Sequence, residues 1–422
     1  MVAWADGDNV IAEFQVTQKA GAAEQFPHLE IDGQDPSAVE NRECRSPNTV
    51  DICGRCCDAS PVIDLASWWH GWSDMDYDQL AGSVIAGHLT ECGPYTTEGK
   101  YCGFKSIPSL VRVGYPKAEV YDDSSSVITI HPGSNRAVTV DTVKAQLVYE
   151  MQGPKYLNLD VVAHLDDIRI KEDATYRVLF GGYQAEMCTF AVELHIKEKV
   201  ELQRKQILNC LDQSRFSTIA IDAYRSVPKH PKSQKKTTVR IGHFVQEPSK
   251  EAIGHLTGVI MFCNMQGYGG FRPNMSLCTL APKPYIRYFP VRFQQSALKV
   301  QAHVEGQPPN EVEPVPKHAL FAGQSSHETT DPADLQSLGP TRRAPLGSII
   351  LAQPGDMGGT ASVALWKLLG DGYQPEYHVK CFALPHLHAV DFVTYGILQE
   401  GVSNSSIIDG FAKWFGEFVR VR

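Results

Sequence analysis

The sequence predicts a mixed fold, α/β passing into α+β, with a large first domain and a small second one. Runs with the apolar spacing of helices are interspersed with short runs that have the alternating pattern of strands. A polar stretch without hydrophobic period separates two such regions, and 422 residues are enough for two hydrophobic cores. We therefore predict a core domain at 1–304, a linker at 305–347 and a small domain at 348–422.

Composition and charge narrow the class of protein. The chain is 43% hydrophobic and 21% charged, as in ordinary globular proteins, and its net charge of −9 argues against nucleic-acid or anionic-membrane partners. It has no apolar run of about 18 residues and no signal-peptide pattern, so we expect a cytoplasmic protein. Its 11 cysteines are scattered, and the one tight pair, Cys53-x-x-Cys56, lacks the second pair of a zinc site. We expect no metal.

The first candidate site lies where a short strand at 50–53 turns at Gly54-Arg55 into a helix. Ser60 is predicted as N-cap, with Pro61 at the first helical position. The free amides of a helix start attract anions, and Arg55 could add a bidentate grip on a carboxylate or phosphate. The alternative is a structural turn whose Arg55 is solvated or paired with Asp58.

A second helix is predicted at 76–92, ended by Gly93-Pro94. His88 and Glu91 are three residues apart and therefore share a face near its end. Such a pair can transfer protons when partial burial tunes it. The alternative is a histidine that merely stabilises the helix C-terminus beside a carboxylate.

The remainder of the first domain reads as α+β. The patterns predict strands at 2–4, 10–16, 126–131, 161–165, 168–170, 176–180, 191–200, 216–224 and 238–245, and helices at 139–151, 201–211 and 250–261. Residues 111–120 read as extended. The basic loop at 229–236 could steer an acidic ligand, although a solvated loop is the simpler interpretation.

In the small domain the patterns predict strands at 348–352 and 377–382, a Gly-rich turn at 354–360, a helix or strand at 361–368 and a helix from about His388. The turn has the form of an anion-binding loop but lacks the GK[ST] ending of a P-loop. Asp356 and Thr360 are its candidate ligand-binding residues, against a structural turn. His386 and His388 would share a metal only on a strand, so we expect none there.

Several long motifs carry a resemblance. They are GR-x-x-DAS-x-V from Gly54, WWHGW from Trp68, LAGSVIAGHLTECG from Leu80, and the later VGYPKAEV, TVDTVKAQLVYEM and PKPYIRYFP. These are similar to the acyclic terpene utilisation (AtuA-like) family, especially its fungal members. GDMGGTASVAL and LPHLHAVDFVTYGILQEGVS resemble the family's C-terminal domain of ferredoxin-like fold.

The resemblance implies a function in acyl-CoA or carboxylic-acid metabolism, since the family is associated with degradation of acyclic terpenes and branched acyl-CoA thioesters. A hydratase/lyase-like step in catabolism or fungal secondary metabolism would follow, with a small-molecule carboxylic acid or acyl-CoA as partner. No cofactor is expected beyond CoA as part of the substrate. His88 and Glu91 are the expected catalytic residues. The expected anion- and substrate-binding residues are Arg55, Asp58, Ser60, Thr97, Asp356 and Thr360.

The chain also departs from the family pattern. The family's Gly-rich nucleotide-binding-like start precedes the equivalent of Val2, so we expect an N-terminally shortened core. Met357 stands where the family has a basic residue, and Pro354 where it has Ser. These differences keep a second hypothesis open: a non-catalytic interaction module or a shortened, inactive paralogue. A homo-oligomer is compatible with either hypothesis.

Overall fold

The structure, a computed structural model, divides the chain into two compact units. One consists of residues 1–181, 287–403 and 409–422, and the other of 182–286 with 404–408. The residues that it describes are 3–6, 57–97, 99–103, 105, 114–131, 138–158, 161–165, 168, 170, 189–192, 195–216, 218–224, 232–246, 256, 258–260, 262, 266–268, 271–273, 299–304, 306–313, 323–327, 344–364, 378–399, 401–402 and 405–421.

Helices and antiparallel strands alternate along the described residues. The helices are α1 (Ser60–His70), α2 (Tyr77–Thr90), α3 (Val140–Leu147), α4 (Ile196–Cys210), the short α5 (Gln234–Thr237) and α6 (Phe415–Arg420). The strands are β1 (Ala3–Asp6), β2 (Pro116–Val120), β3 (Ser126–Ile130), β4 (Lys155–Leu157), β5 (Val162–His164), β6 (Thr189–Val192), β7 (Thr218–Tyr224), β8 (Thr238–Gln246), β9 (Arg272–Pro273), β10 (Gln301–Val304), β11 (Asn310–Glu311), β12 (Pro354–Met357), β13 (Thr360–Ala364), β14 (Val379–Leu384) and β15 (Ala389–Thr394). The predicted mixed fold is confirmed at this level.

The helical layer of the first unit begins with α1 and α2, which both lie where the sequence predicts helices. The predicted N-cap is wrong by one residue: Ala59 precedes the helix, no side chain caps it, and Ser60 is already helical. A Cβ at Gly87 would come within 2.7 Å of the Ala59 Cα, so the glycine lets α2 approach the start of α1. Close backbone contact thus replaces the expected side-chain cap.

Helix α3 anchors the core of the first unit. Thr139 caps it by accepting a hydrogen bond from the Thr142 amide, and the Thr142 hydroxyl accepts from the Thr139 amide in return. Helical spacing predicts that Val140, Val143, Leu147 and Met151 face the core; the last three are buried, whereas Val140 is only partly buried. The three buried residues pack in one cluster with Leu89 of α2, with Val148 and Leu165 of the adjoining chain, and with Leu384 and Leu387 of the C-terminal region.

The C-terminal strands form one antiparallel sheet in the order β12-β13-β15-β14. The predicted turn at 354–360 is a hairpin, in which Met357 pairs with Thr360 across Gly358-Gly359. The helix predicted from His388 is wrong. His388 has a φ of 51°, which turns the chain out of a 3-10 turn and directly into β15.

Two further predicted strands need correction. At 348–352 the chain instead leaves a 3-10 turn at Leu346–Ser348 and enters a sheet only at Pro354. The strand predicted at 191–200 ends at Val192, and α4 begins at Ile196. The apolar residues of 191–200 therefore belong to a strand and a helix, in which side chains repeat with different spacing.

The smaller sheets complete the unit. β1 pairs with β10, which pairs with β11, while β2 with β3 and β4 with β5 form hairpin-like pairs.

The predicted elements at 10–16, 50–53 and 176–180 lie outside the described residues, as does most of 250–261. The predicted domain boundaries stay predictions. Within the described ranges, no helix combines the length and apolar character that a bilayer crossing requires.

The second unit contains a sheet in the order β7-β8-β6-β9 with α4 beside it. Ile207, Ile221 and Ile241 are fully buried in its core. Three polar side chains of this unit are joined by hydrogen bonds. The Tyr268 hydroxyl donates to Gln203 Oε1 at 2.9 Å, and Gln203 Nε2 lies 2.9 Å from His243 Nε2. Because the amide nitrogen only donates, the His243 Nε2 accepts and the ring is neutral.

Acid is expected to destabilise this unit through His243. Burial lowers its pKa from 6.5 to about 4, so the unfolded chain binds more protons between those values. The stabilisation is complete above pH 6.5, and about 3 kcal/mol of unfolding free energy is lost as the pH falls to 4. Urea unfolding of His243→Gln should show a correspondingly weaker pH dependence.

The matched control is His195→Gln, since His195 is exposed just before α4. That variant should retain the pH dependence of the unsubstituted chain. Equal slopes for the chain and for His243→Gln would contradict the expected contribution of the buried ring.

Candidate functional site

His88 and Glu91 form a buried pair at the end of α2. The His88 side chain is only 2% exposed, and its Nδ1 lies 3.3 Å from Glu91 Oε1. Its Nε2 lies 2.8 Å from the Gln146 carbonyl oxygen, which only accepts, so Nε2 donates. Nδ1 and Oε1 are within ion-pair range but not aligned as a hydrogen bond. One proton placed between them would satisfy both atoms.

Helix α3 fixes this pair through Gln146. The buried Gln146 Nε2 donates to the His88 carbonyl oxygen at 2.9 Å and to Glu91 Oε1 at 3.4 Å. The ring of Tyr156 packs against the imidazole with centroids 5.1 Å apart. The imidazole therefore has one orientation, which keeps Nδ1 facing the carboxylate.

Lys413 has three polar neighbours that are all distant from it in sequence. Lys413 Nζ donates to the Tyr149 hydroxyl at 2.7 Å, to Asp356 Oδ1 at 3.0 Å and to Glu150 Oε1 at 3.5 Å. It also lies 4.4 Å from the centroid of the Tyr149 ring. We call Tyr149, Glu150, Asp356 and Lys413 the Lys413 cluster. Tyr149 is 3% exposed, and the side chains of Lys413, Glu150 and Asp356 are 14%, 29% and 20% exposed, so the ammonium is strongly held and only its edge meets solvent.

Three different elements supply the Lys413 cluster. Tyr149 and Glu150 directly follow α3, Asp356 lies on β12, and Lys413 stands just before α6. β12 comes close because it carries Gly355, where a Cβ would meet Glu150 Cγ at 2.7 Å. The cluster therefore depends on the packing of the C-terminal sheet against α3.

Burial dominates the electrostatics of this region. It raises the pKa of Glu150, while the Tyr149 hydrogen bond and Lys413 offset part of the effect. It also raises the pKa of Cys92 to about 11, with Glu91 and Glu150 adding to the shift. Cys92 is therefore a thiol at neutral pH and no nucleophile. Glu91 acts electrostatically on both Cys92 and Glu150, which couples the His88–Glu91 pair to the Lys413 cluster.

The ring of Tyr95 packs against the Lys413 cluster through Tyr149. The rings of Tyr95 and Tyr149 meet edge to face, with centroids 5.0 Å apart. Burial raises the pKa of Tyr95 to about 12, and it raises that of Tyr149 as well. Both hydroxyls are thus protonated at neutral pH, and that of Tyr149 donates to Glu150.

The structure brings only part of the predicted site together. His88, Glu91 and Asp356 belong to the coupled region just described. Thr97 is buried, and its hydroxyl donates to the carbonyl oxygens of Pro94 and Gly114, at 3.1 Å and 2.8 Å. Thr360 is buried in the hairpin. Both threonines are therefore held within the fold rather than presented to solvent.

The predicted anion site at the start of α1 has a different geometry from the one expected. The Ser60 amide donates to the Cys57 carbonyl oxygen, and the Val62 and Ile63 amides donate to that of Ala59. Asp58 is exposed in the preceding turn, and Arg55 lies outside the described residues. Anion binding here stays a prediction.

Sequence reasoning missed Tyr149, Glu150 and Lys413. Tyr149 and Glu150 end the motif TVDTVKAQLVYEM, so their position directly after an amphipathic helix was a usable signal. Lys413 has no local pattern that marks it. In the part of the chain that the structure describes, no three His, Cys, Asp or Glu residues are placed to hold a metal ion.

The fold and the site define a mixed α/β protein with a buried histidine–carboxylate pair coupled to a lysine–carboxylate cluster. A family model described as acyclic terpene utilisation family protein AtuA matches residues 47–182 and 178–304. The chain belongs to the AtuA family, as its motifs predict. The matched ranges contain His88, Glu91, Tyr149 and Glu150. No curated protein and no solved structure matches the chain.

Proposed function

We propose that this AtuA family chain acts on a carboxylic acid or acyl-CoA thioester in acyclic terpene utilisation, by a hydratase/lyase-like proton transfer. The observation that carries the proposal is Lys413 Nζ, within 3.5 Å of Asp356, Glu150 and the Tyr149 hydroxyl, beside the His88–Glu91 pair. A positive charge next to a proton-transfer pair suits the removal of a proton α to a carbonyl.

The proposed chemistry divides the work between the two groups. In dehydration of a β-hydroxyacyl thioester, Glu91 takes the α-proton and His88 Nδ1 shares it. The electrons of the Cα–H bond form the C=C bond, the Cβ–O bond breaks with its electrons going to oxygen, and the β-hydroxyl takes the proton back from the Glu91–His88 pair and leaves as water. Hydration is the reverse. Lys413 stabilises the negative charge that develops on the carbonyl oxygen.

Charge and hydrogen bonds hold Lys413 in place. Burial raises the pKa of Glu150, while the Tyr149 hydrogen bond and the Lys413 ammonium oppose that rise. The Tyr149 hydroxyl accepts from Lys413 Nζ and donates to Glu150, so it fixes the lysine where the substrate oxygen would meet it.

Binding of a branched acyl-CoA is expected to raise the melting temperature of the chain. A ligand at about 100 times its Kd adds about 2.7 kcal/mol to the stability of the native state. In Lys413→Met this ligand-dependent rise should shrink or vanish, while Lys117→Met, at a partly exposed lysine of β2, should keep it. Free CoA serves as a ligand control. Equal rises in both variants would overturn the role of Lys413.

The second hypothesis, a non-catalytic interaction module or shortened inactive paralogue, has one observation in its favour. His88 is 2% exposed, so a substrate reaches the pair only through Glu91, whose side chain is 10% exposed. If no thioester shifts the melting temperature, this hypothesis is preferred. The fungal type, the ferredoxin-like C-terminal domain, the cytoplasmic location and a homo-oligomer stay predictions.

A further inference from the structure

One face of the C-terminal sheet carries an unusual set of buried polar side chains. β13 and β15 pair so that Ser362 lies opposite Val393 and Ala364 opposite Asp391. Because residues two apart share a face, Ser362 and Asp391 lie diagonally on the same face of neighbouring strands. Gln353 lies two residues before Gly355, which pairs with Ser362, so side-chain alternation along an extended chain places Gln353 on that face too.

These side chains are buried, and their oxygens have no well-aligned hydrogen-bond partner in the part of the chain that the structure describes. Ser362 and Asp391 are 0% exposed and Gln353 is 4% exposed. Among the described residues, no well-aligned hydrogen bond reaches Ser362 Oγ, Gln353 Oε1 or either carboxyl oxygen of Asp391, although the Phe392 amide is close enough to act on that carboxyl. Native proteins leave few such groups unsatisfied, and seldom several side by side, because a buried polar atom without a hydrogen bond is destabilising. Four unsatisfied oxygens on one face therefore call for a common partner.

The position of this face within the unit is defined by its neighbours. The opposite face carries Ala361 and Val363, which pack against Phe415 and other residues near the C-terminus. The polar face also carries Leu384, whose side chain packs into the core beside Leu147. The polar set therefore lies between the sheet and the helical layer, away from α6 and from exposed surface.

We propose that Gln353, Ser362 and Asp391 form a binding site for a small monovalent cation, such as Na⁺, K⁺ or ammonium. All four unsatisfied atoms are oxygens, which hard cations prefer to nitrogen or sulfur ligands. One carboxylate matches a single positive charge, and a buried carboxylate is tolerated when it is paired with a cation. Within the described ranges no cluster of three acidic, His or Cys residues adds the charge that a divalent ion needs. The proposal is independent of the function proposed above.

The experiment is thermal unfolding of the full chain in KCl, NaCl, NH₄Cl and choline chloride at matched ionic strength. Choline is too large for a buried oxygen site and controls for screening. At least one small cation should raise the melting temperature by about 2–4 °C over choline, in a saturable manner. The same comparison is made for Asp391→Asn, Ser362→Ala and, as control, Glu119→Gln at an exposed carboxylate of β2.

The difference between salts within each variant is the readout, because it is unaffected by the variant's own stability. Asp391→Asn should abolish the difference, Ser362→Ala should reduce it, and Glu119→Gln should retain it. ²³Na line broadening, reversed by competing K⁺, provides a second readout for the unsubstituted chain. Melting temperatures equal in all salts would show that buried water alone fills the site and would overturn the proposal. A difference that persists in Asp391→Asn would also overturn it.

Discussion

Replacing Asp391 with Asn is expected to raise the free energy of unfolding by about 4 kcal/mol at pH 7 in choline chloride. Burial raises the pKa of Asp391 from 3.8 to about 8, and the adjacent Phe392 amide lowers it only in part. The folded chain thus binds a proton that the unfolded chain releases, and each pKa unit corresponds to about 1.36 kcal/mol. Asn has the same shape without the ionisation.

The pH dependence of the free energy of unfolding tests whether ionisation of Asp391 causes this gain. A raised folded pKa contributes stability that is complete below pH 3.8 and is lost as the pH rises to about 8. The gain in Asp391→Asn should therefore be small at pH 4 and grow toward pH 8 in urea unfolding. Asp74→Asn, at an exposed carboxyl, should show no such trend. A gain that is the same at every pH would contradict the assignment to ionisation.

Replacing Glu91 with Gln is expected to lower turnover of an acyl-CoA substrate by about 10²–10⁴-fold, the range for loss of a general base. The amide cannot take a proton, yet it fills the same space and can still contact Gln146, which lies 3.4 Å from Oε1. Steady-state kinetics with the thioester that raises the melting temperature measures the effect.

Glu119→Gln again serves as the matched control, because that carboxylate is exposed on β2. Its turnover should equal that of the unsubstituted chain. The melting temperature of Glu91→Gln should stay close to the unsubstituted value, which separates lost chemistry from lost folding. Unchanged turnover in Glu91→Gln would remove the proposed base.

Local signals made the helices and one part of the site predictable. Pro61 marks the start of α1, the Thr139 cap marks α3, and helical spacing places His88 and Glu91 on one face. These features depend on residues within one or two turns of each other, so the sequence alone contains them. Their burial was not predictable, since α3 and the C-terminal strands supply the cover.

Non-local contacts explain what the sequence did not reveal. Lys413 is 57 residues from Asp356 and 263 from Glu150, so no spacing rule relates them. β15 was mistaken for a helix because the left-handed backbone of His388 and the pairing with β14 override the local pattern. Asp391, in the middle of that strand, could be recognised as buried only after the sheet was known.

The most direct test of the proposed proton transfer is exchange at the α-carbon of a branched acyl-CoA in D₂O, followed by mass spectrometry. This step requires no knowledge of the complete reaction. The unsubstituted chain should incorporate deuterium at Cα, and Glu91→Gln should do so about 10²–10⁴-fold more slowly. If the thioester binds but its α-hydrogen does not exchange, or if it exchanges equally in Glu91→Gln, the Glu91–His88 pair is not the base.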